Sequence, residues 1–324
     1  MENQKTYAPV LSWKFWKSVF IHLRPYLLFV SGVAGLSGMA IAPAESISLT
    51  VFLMAFIPFF LGYGFGQALT DCFQIDTDTI SAPYRPLSRR EISPKALGTV
   101  SLTALILISL SVIWLNYYNL IFGVLSIAGL ATYTYFKKNF WFAGPFYNGW
   151  IVTLLPVMGF LAVTGAKPGE LINKTMIFQA LLTFFAYANF VVIGYLKDIS
   201  ADRATNYKTF PVVFGWNKTV LAGDFNVLCS IVFSYLLLAG EWNTGFIVFI
   251  LASIIAIAGQ LFGHLTKRKE ESNAVFPISA TVRSFILWHL AVVLHFRPGW
   301  LAFCIVFYAC FELVLYFRPE KGQI

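Results

Sequence analysis

The chain is a succession of long apolar runs separated by short polar segments. The runs are continuous and do not alternate with a period of two, which excludes a membrane β-barrel. A run of roughly 20 apolar residues crosses the hydrocarbon core of a bilayer as one helix. The pattern predicts an all-α, polytopic membrane bundle of about nine to ten transmembrane helices. The candidate spans cover residues 26–43, 47–69, 96–115, 118–136, 145–164, 175–196, 218–239, 245–263, 277–295 and 300–317.

The span at 277–295 is the weakest of these candidates, because Arg283, His289 and His295 interrupt it. Residues 1–24 have a different pattern, in which Lys14 and Lys17 alternate with apolar residues at helical spacing. That pattern favours an amphipathic helix in the headgroup region and not a cleavable signal. The sequence therefore divides into an interfacial segment at 1–24, one transmembrane domain at 25–318 and a cytoplasmic tail at 319–324.

Composition supports a membrane protein. Of 324 residues, 58% are hydrophobic and only 12% are charged, whereas soluble proteins carry roughly 25% charged residues. With the N-terminus inside, 19 of the 23 basic residues lie on the inner side, which indicates cytoplasmic loops by the positive-inside rule. The net charge of +8 is therefore loop charge, and no nucleic-acid partner is expected. Four cysteines without CxxC spacing form neither a disulfide framework nor a zinc site.

Two inner loops carry acidic residues together with basic ones. In the second loop, Asp198 and Asp202 are four positions apart, so they share a face if the helix continues. Two stacked carboxylates repel each other unless a cation lies between them, and Mg²⁺ prefers such oxygen ligands. Basic side chains that could bind phosphate flank this pair. They are Lys197, Arg203 and Lys208.

The first loop repeats this combination. Asp71, Gln74 and Asp78 stand at i, i+3 and i+7, which is one face of a regular helix, and Asp76 points elsewhere. Arg85 lies between Tyr84 and Pro86, where proline restricts the backbone and suits a guanidinium aimed at phosphate. Each loop alone could be an ordinary solvated segment. Together they predict a binuclear magnesium site for a lipid-tailed diphosphate, whose leaving charge the metals would neutralise.

Polar residues inside the spans are further candidates. Asn148 and Asn189 are expected to face the cavity as substrate contacts or to make interhelical hydrogen bonds. Tyrosines near the inner ends of the spans could line the cavity and stabilise a carbocation, or could serve as anchors at the membrane interface. They are Tyr63, Tyr133, Tyr147, Tyr187 and Tyr195. The four histidines are not expected to cluster with either loop.

The two loops resemble the motifs of the UbiA-type intramembrane prenyltransferases. The family's first motif is Asn-Asp-x-x-Asp-x-x-x-Asp followed by Arg-Pro, and residues 70–87 are similar to its chlorophyll-synthase-like version. The second motif is Asp-x-x-x-Asp followed by a Lys/Arg-Thr-Leu-Pro-like segment, and residues 197–215 resemble it almost throughout. The Tyr-x-x-x-Lys segment from Tyr133 to Lys137 also fits.

The resemblance implies about nine helices around a lipid-open central cavity. It also implies two Mg²⁺ ions, an isoprenyl diphosphate donor, a hydrophobic acceptor and surrounding membrane lipids. By position, Asp71 and Asp78 would hold one metal and Asp198 and Asp202 the other, as the catalytic carboxylates. The residues that would clamp the diphosphate are Arg85, Lys137, Arg203 and Lys208.

Two departures from the family motif keep alternatives open. Thr70 replaces the leading Asn and Gln74 replaces the middle Asp. Gln74 can coordinate through its carbonyl oxygen but brings no charge, so Asp76 is the candidate that compensates. Membrane terpene cyclases, which act without an acceptor, also lack this middle acid. A cyclase and a non-catalytic lipid-binding protein therefore remain alternatives to prenyl transfer.

Overall fold

The computed structural model describes residues 7–43 and 46–318. Within these ranges the chain forms α-helices joined by short connections, some of them 3₁₀ turns. The α-helices are α1 (Trp13–Leu23), α2 (Leu28–Ile41), α3 (Leu49–Asp71), α4 (Ile75–Ser81), α5 (Pro94–Leu115), α6 (Asn119–Asn139), α7 (Ala143–Thr164), α8 (Lys174–Gly194), α9 (Ile199–Ala204), α10 (Phe210–Leu238), α11 (Thr244–Leu265), α12 (Val275–Phe296) and α13 (Leu301–Tyr316).

The predicted number of spans is confirmed. Nine of the described helices are long and apolar enough to cross a membrane, and the bent pair α1–α2 would make ten. The nine are α3, α5, α6, α7, α8, α10, α11, α12 and α13. The bend of 44° lies at Arg24, whose backbone is left-handed with φ 48°. Residues 1–6 of the predicted interfacial segment and the whole predicted tail at 319–324 lie outside the described residues.

Helix α1 has the two faces that its sequence pattern predicts. Phe15 and Val19 are buried against the bundle, while Trp13 and Phe20 are 82% and 60% exposed. Ser12 caps the helix by accepting a hydrogen bond from the Phe15 backbone N–H at 3.2 Å. An exposed apolar face is typical of a helix lying in the membrane interface, and that location stays a prediction.

Helix α2 is the centre of the bundle, because every one of its residues is buried. It packs against α3, α7 and α12. The contact with α7 needs glycine: a Cβ at Gly38 would lie 1.9 Å from the Pro156 carbonyl oxygen, and one at Gly159 would lie 2.2 Å from the Gly35 carbonyl oxygen. Small residues let two helix backbones approach closely where lipid supplies no hydrophobic drive for association.

Helix α12 corresponds to the weakest predicted span, yet it is continuous and its buried share, 94%, is higher than that of the other candidate spans. Its polar groups have partners on neighbouring helices. Arg283 Nε donates to Glu312 Oε1 on α13 at 2.7 Å, and His289 Nε2 is hydrogen-bonded to Thr183 Oγ1 on α8 at 2.9 Å. Pairing removes the cost of a polar group in hydrocarbon, so the interruptions in sequence do not interrupt the helix.

The two acidic loops have the same local structure. Helix α3 ends at Asp71 and α4 begins at Ile75, while α8 ends at Gly194 and α9 begins at Ile199. Asp71, Gln74 and Asp78 therefore do not share one continuous helix face, contrary to the sequence expectation. The short helices α4 and α9 contact each other, and the predicted meeting of the two loops at one end of the bundle is found.

Candidate active site

A polar pocket of about 730 Å³ lies where α3, α4, α6, α7, α8 and the segment that precedes α9 converge. Most of the residues singled out in the sequence line it. They are Asp71, Gln74, Asp78, Arg85, Lys137, Asn148, Tyr195, Lys197 and Asp198. The chain breaks after α3 and after α8, and the short helices α4 and α9 that follow the breaks contact each other.

Asp71 is buried and hydrogen-bonded on both carboxylate oxygens. Its Oδ2 lies 2.9 Å from His22 Nδ1, and its Oδ1 accepts from Arg24 at 2.8 Å and from Gln67 at 2.7 Å. The Leu87 backbone N–H lies 3.4 Å from the other His22 ring nitrogen. These partners fix the position of Asp71 at the start of the first loop.

Asp78 accepts a hydrogen bond from Arg85 inside the pocket. Arg85 also lies 3.8 Å from Asp71 Oδ1, so its guanidinium stands between two carboxylates. Burial alone would lower the pKa of Arg85, but the carboxylates of Asp78 and Asp71 raise it above its usual value. Arg85 is therefore a permanent cation at the base of the pocket.

Lys137 connects the two loops. Its Nζ donates to Gln74 Oε1 at 3.3 Å and lies 3.8 Å from Asp202 Oδ1. It also stands over the ring of Tyr195, 5.1 Å from the centroid. The Gln74 amide nitrogen in turn donates to Thr134 Oγ1 at 3.2 Å, which orients the carbonyl oxygen towards Lys137. Gln74, which replaces the middle Asp of the motif, thus presents its carbonyl oxygen to the site in a fixed orientation.

Asp202 is fully buried directly behind Lys137. Its Oδ2 accepts from Thr209 at 2.9 Å, while its Oδ1 receives no hydrogen bond from residues 7–43 or 46–318. Burial raises the pKa of Asp202 to about 6, although the nearby Lys137 opposes that rise. Asp198 precedes it by one helical turn, since the Asp202 N–H donates to the Asp198 carbonyl at 2.8 Å.

The oxygen donors present here fit Mg²⁺. Asp198 lines the pocket, and the buried Asp202 has one carboxylate oxygen, Oδ1, to which none of the described residues donates a hydrogen bond. Carboxylate oxygens are hard ligands of the kind this ion prefers. Among the described residues no group of three or more acidic, histidine or cysteine side chains is close enough to enclose an ion. Mg²⁺ is commonly bound by one or two carboxylates, with substrate phosphates and water completing its coordination.

Five predicted site residues do not line the polar pocket, and one of them is Asp202, which is buried behind Lys137. Asp76 is 43% exposed and paired with Lys138 at 3.0 Å, because it points away from the inward face of α4. Asn189 is buried between helices, and its side-chain oxygen accepts a hydrogen bond from Gln260 at 3.1 Å. It therefore makes the interhelical hydrogen bond that the sequence offered as the alternative to a substrate contact. Arg203 and Lys208 have exposed side chains on the outer side of the second loop.

An apolar cavity of about 880 Å³ adjoins the polar pocket between α3, α5, α6 and α7. Five residues line both spaces, so the two lie side by side and share a wall. They are Tyr63, Gln67, Tyr133, Asn148 and Tyr187. Farther from the polar pocket, Gly123 and Val112 line the cavity. Gly123 and Tyr133 are ten positions apart on α6, which is about 15 Å at roughly 1.5 Å per residue.

A collar of tyrosines surrounds this junction. The Tyr133 and Tyr195 hydroxyls are 2.7 Å apart, and the Tyr187 hydroxyl donates to that of Tyr63 at 3.2 Å. Tyr195 reaches Tyr133 across Gly144, where a Cβ would lie 2.1 Å from the Tyr195 hydroxyl oxygen. Tyr147, the remaining candidate tyrosine, contacts Thr132 instead, with hydroxyl oxygens 2.6 Å apart.

Sequence reasoning missed the residues that position Asp71. The expectation that no histidine clusters with either loop is wrong for His22, which contacts Asp71 from the N-terminal helix. Arg24 and Gln67 were not singled out as its partners either. His22 and Asp71 are 49 positions apart, so no local pattern joins them. The signal available was a histidine and an arginine on an amphipathic segment that enters the same end of the bundle.

Comparisons with known proteins agree with this architecture. The model of the UbiA prenyltransferase family matches residues 29–290. A digeranylgeranylglyceryl phosphate synthase from Thermococcus kodakarensis is 26% identical over 226 residues, which is 69% of this chain and 78% of the relative.

Two solved structures share the fold. The apo structure of a UbiA homologue from Aeropyrum pernix K1 matches with a TM-score of 0.71 at 16% identity, covering 82% of this chain and 96% of the other. A UbiA homologue from Archaeoglobus fulgidus bound to GPP and Mg²⁺ matches with a TM-score of 0.61 at 16% identity, covering 85% and 99%.

Proposed function

The chain belongs to the UbiA prenyltransferase family, and we propose that it moves an isoprenyl group from an isoprenyl diphosphate to a hydrophobic, lipid-like acceptor within the membrane. The observation that carries this proposal is that a charged pocket and an apolar cavity lie side by side and share wall residues. A molecule with a diphosphate head and a hydrocarbon tail matches both halves. A soluble phosphate ester would leave the apolar cavity without a ligand.

The diphosphate head binds between the two loops. Arg85 is held charged by its carboxylate neighbours, and Lys137 stands where both loops meet. Charge-assisted hydrogen bonds from such cations are the strong ones, and a guanidinium can contact two phosphate oxygens at once. Lys197 lines the same pocket and adds a third positive charge. These residues orient the donor so that its C1–O bond lies at the tyrosine collar.

The carboxylates of Asp198 and Asp202 are the best candidates to hold Mg²⁺ in the second loop, with Asp78 and the Gln74 carbonyl oxygen in the first. When bound, Mg²⁺ neutralises the charge that develops on the leaving diphosphate. Asp71, which His22, Arg24 and Gln67 hold in place, supports Arg85. We place the pocket on the cytoplasmic side because the basic loops concentrate at this end of the bundle.

The tyrosine collar, formed by Tyr63, Tyr133, Tyr187 and Tyr195, has two roles in the proposed reaction. Its rings carry a negative face that stabilises a nearby cation, and an allylic cation forms at C1 as diphosphate leaves. Its bulk also separates the polar pocket from the apolar cavity, so that water does not reach the cation before the acceptor does. The hydroxyl pairs Tyr133–Tyr195 and Tyr63–Tyr187 satisfy the buried phenols and fix the rings.

The test is product analysis with purified protein, Mg²⁺ and geranyl, farnesyl or geranylgeranyl diphosphate, with and without a membrane lipid extract. We expect diphosphate release that depends on the extract and a prenylated lipid product. The double variant Asp198→Asn/Asp202→Asn is expected to lose activity by at least about 100-fold. A hydrocarbon or alcohol formed without an acceptor would identify a cyclase. Absence of both turnover and Mg²⁺-dependent donor binding would indicate a lipid-binding protein and contradict the proposal.

A further inference from the structure

The connection between α11 and α12 reaches the second acidic loop through Glu271. Both carboxylate oxygens of Glu271 accept hydrogen bonds from Ser200 on α9, one from its backbone N–H and one from its hydroxyl, the latter at 3.0 Å. The two residues are 71 positions apart in the chain. The 3₁₀ turn Glu271–Ala274 also packs against the turn Tyr195–Lys197, which precedes Asp198. The second loop, which follows α8, is therefore also held from the start of α12.

The connection that carries Glu271 is fixed by its own contacts. Lys269 Nζ donates to the His264 carbonyl at 2.8 Å, which closes the C-terminal end of α11. The Asn273 side chain donates to a backbone carbonyl of the same connection at 3.0 Å. Ala274 is fully buried in the main core of the bundle, and α12 begins at the next residue. The position of Glu271 is thus set by α11 and α12, independently of the second loop.

Helix α9 has an aspartate at its N-cap position that does not cap it. An aspartate at this position usually has an extended backbone and accepts from the N–H of the second or third helical residue. The backbone of Asp198 (φ −118°, ψ 14°) is not extended, and its side chain accepts no capping hydrogen bond from residues 199–204, all of which the structure describes. Asp198 lines the polar pocket instead. Glu271 accepts from Ser200, the second residue of α9, and so takes the place of the missing cap.

The first loop has the same arrangement. Gln74 is the N-cap residue of α4, and its side chain accepts no capping hydrogen bond from residues 75–81, which are likewise described. Gln74 lines the polar pocket. The N–H of Thr77, the third residue of α4, donates instead to Asp76 Oδ1 at 2.9 Å. In both loops a carboxylate outside the pocket accepts from the first turn of the short helix, while the side chain of the N-cap residue faces the pocket.

From these observations we propose that Glu271 is a positioning residue, which caps α9 and thereby leaves the Asp198 carboxylate to face the pocket. The inference rests on the proposed function, because that function gives Asp198 its task. When the Glu271 carboxylate is removed, the Ser200 N–H loses its acceptor and Asp198, the adjacent N-cap residue, turns to accept from it. That rotation withdraws the Asp198 oxygens from the pocket. Glu271 is not among the described residues that line the pocket, so it acts through Asp198.

The first test measures the cap itself and needs neither metal nor turnover. Amide hydrogen exchange of α9 is followed by mass spectrometry on the full chain in detergent with EDTA. We expect Glu271→Ala and Asp198→Ala each to exchange within about twofold of the wild type, because the other carboxylate still caps the helix. The double variant should exchange at least about fivefold faster, since α9 then lacks both caps. Either single variant exchanging as fast as the double variant would overturn the inference.

The second test measures the consequence for the pocket. Calorimetry follows binding of a thiolo-diphosphate analogue of geranyl diphosphate while the Mg²⁺ concentration is varied. Glu271→Ala should raise the Mg²⁺ concentration for half-maximal binding about tenfold, because residues that orient metal ligands affect metal affinity on this scale. Glu271→Gln should stay within about twofold of the wild type, since its carbonyl oxygen still accepts from Ser200. The matched control is Glu270→Ala, which removes an exposed acidic side chain from the adjacent position and should also stay within about twofold.

The outcomes separate the inference from the function on which it rests. Equal effects of Glu271→Ala and Glu271→Gln would show that Glu271 acts through its charge and would overturn the capping role. An unchanged Mg²⁺ dependence in Glu271→Ala would reject the positioning role and keep the prenyltransferase. A wild-type protein that does not bind the analogue in the presence of Mg²⁺ would reject the proposed function, and with it the task given to Glu271, even if the exchange result held.

Discussion

Replacing Lys137 by methionine removes the one charge that joins the two loops while keeping the length of the side chain. Lys137 is buried, and its Nζ lies 3.3 Å from Gln74 Oε1 and 3.8 Å from Asp202 Oδ1. In the proposed complex this ammonium group also contacts the diphosphate. Lys138 is the matched control, because it is the next residue on the same helix but is 41% exposed and pairs with Asp76.

The expected loss of activity follows from one charge-assisted hydrogen bond. Such a bond contributes roughly 1.5–3 kcal/mol, and about 1.4 kcal/mol corresponds to a factor of ten in rate. Lys137→Met should therefore lower kcat/KM by about 10- to 150-fold, and Lys138→Met by less than about threefold, since exposed ion pairs contribute about 0–1 kcal/mol. The assay is diphosphate release under Mg²⁺ saturation, with donor concentration varied.

The effect of Lys137→Met on the free energy of unfolding should depend on the presence of the Asp202 carboxylate. At 3.8 Å and an effective dielectric constant of about 20, the direct attraction is about 4 kcal/mol. Removing only Lys137 leaves a buried carboxylate without its neighbouring cation, with Thr209 as its side-chain hydrogen-bond donor among the described residues, and this is destabilising. In Lys137→Met/Asp202→Asn that carboxylate is gone, so the stability losses should fall short of additivity by roughly 1–3 kcal/mol. Two results together would refute the role given to Lys137 between the loops: equal activity losses for Lys137→Met and Lys138→Met, and additive stability losses for Lys137→Met and Asp202→Asn.

Three further predictions follow from neighbouring features of the site. Gly144→Ala should lower kcat about tenfold or more with normal expression. The new Cβ would lie 2.1 Å from the Tyr195 hydroxyl oxygen and must displace it, and small misplacements of site residues are costly in catalysis. Gly123→Phe should reduce turnover of geranylgeranyl diphosphate at least about tenfold relative to geranyl diphosphate, because the ring fills the far end of the apolar cavity; equal losses for both donors would contradict this. Burial raises the folded-state pKa of Asp202 to about 6, so the folded protein holds that proton more tightly than the unfolded chain. In thermal unfolding with EDTA, the wild type should therefore lose stability relative to Asp202→Asn as the pH rises from about 4 through about 6. Parallel pH curves for the two proteins would contradict this prediction.

The span pattern and the two loops could be predicted because both are local properties of the sequence. A continuous apolar run specifies a transmembrane helix whatever its neighbours are. Asp78, Arg85, Lys137 and Asp198 reach the pocket because they lie at the inner ends of alternate spans, α3, α6 and α8, which end on the same side when the chain crosses the membrane back and forth. Even α12, with its polar interruptions, follows the pattern, since Arg283 finds Glu312 on the next helix.

Contacts between distant segments could not be predicted in the same way. His22 meets Asp71 only because α1 folds against the end of α3. Asn189 satisfies its amide with Gln260, 71 positions later, rather than facing the cavity. The breaks after Asp71 and Gly194 separate residues that a continuous helix would have aligned, and no proline or glycine run in the sequence marks the first of them. These contacts depend on how distant segments pack against each other, and such packing leaves no local pattern in the sequence.

The most direct test of the account is an experimental structure with Mg²⁺ and a thiolo-diphosphate analogue of the donor, whose C1–S bond resists cleavage. We predict that the diphosphate lies between α4 and α9, in contact with Arg85 and Lys137, with metal ions on Asp198 and Asp202 and the tail passing the tyrosine collar towards Gly123. A diphosphate bound among Arg24, Arg89 and Arg318, or a tail outside the cavity between α3, α5, α6 and α7, would contradict it.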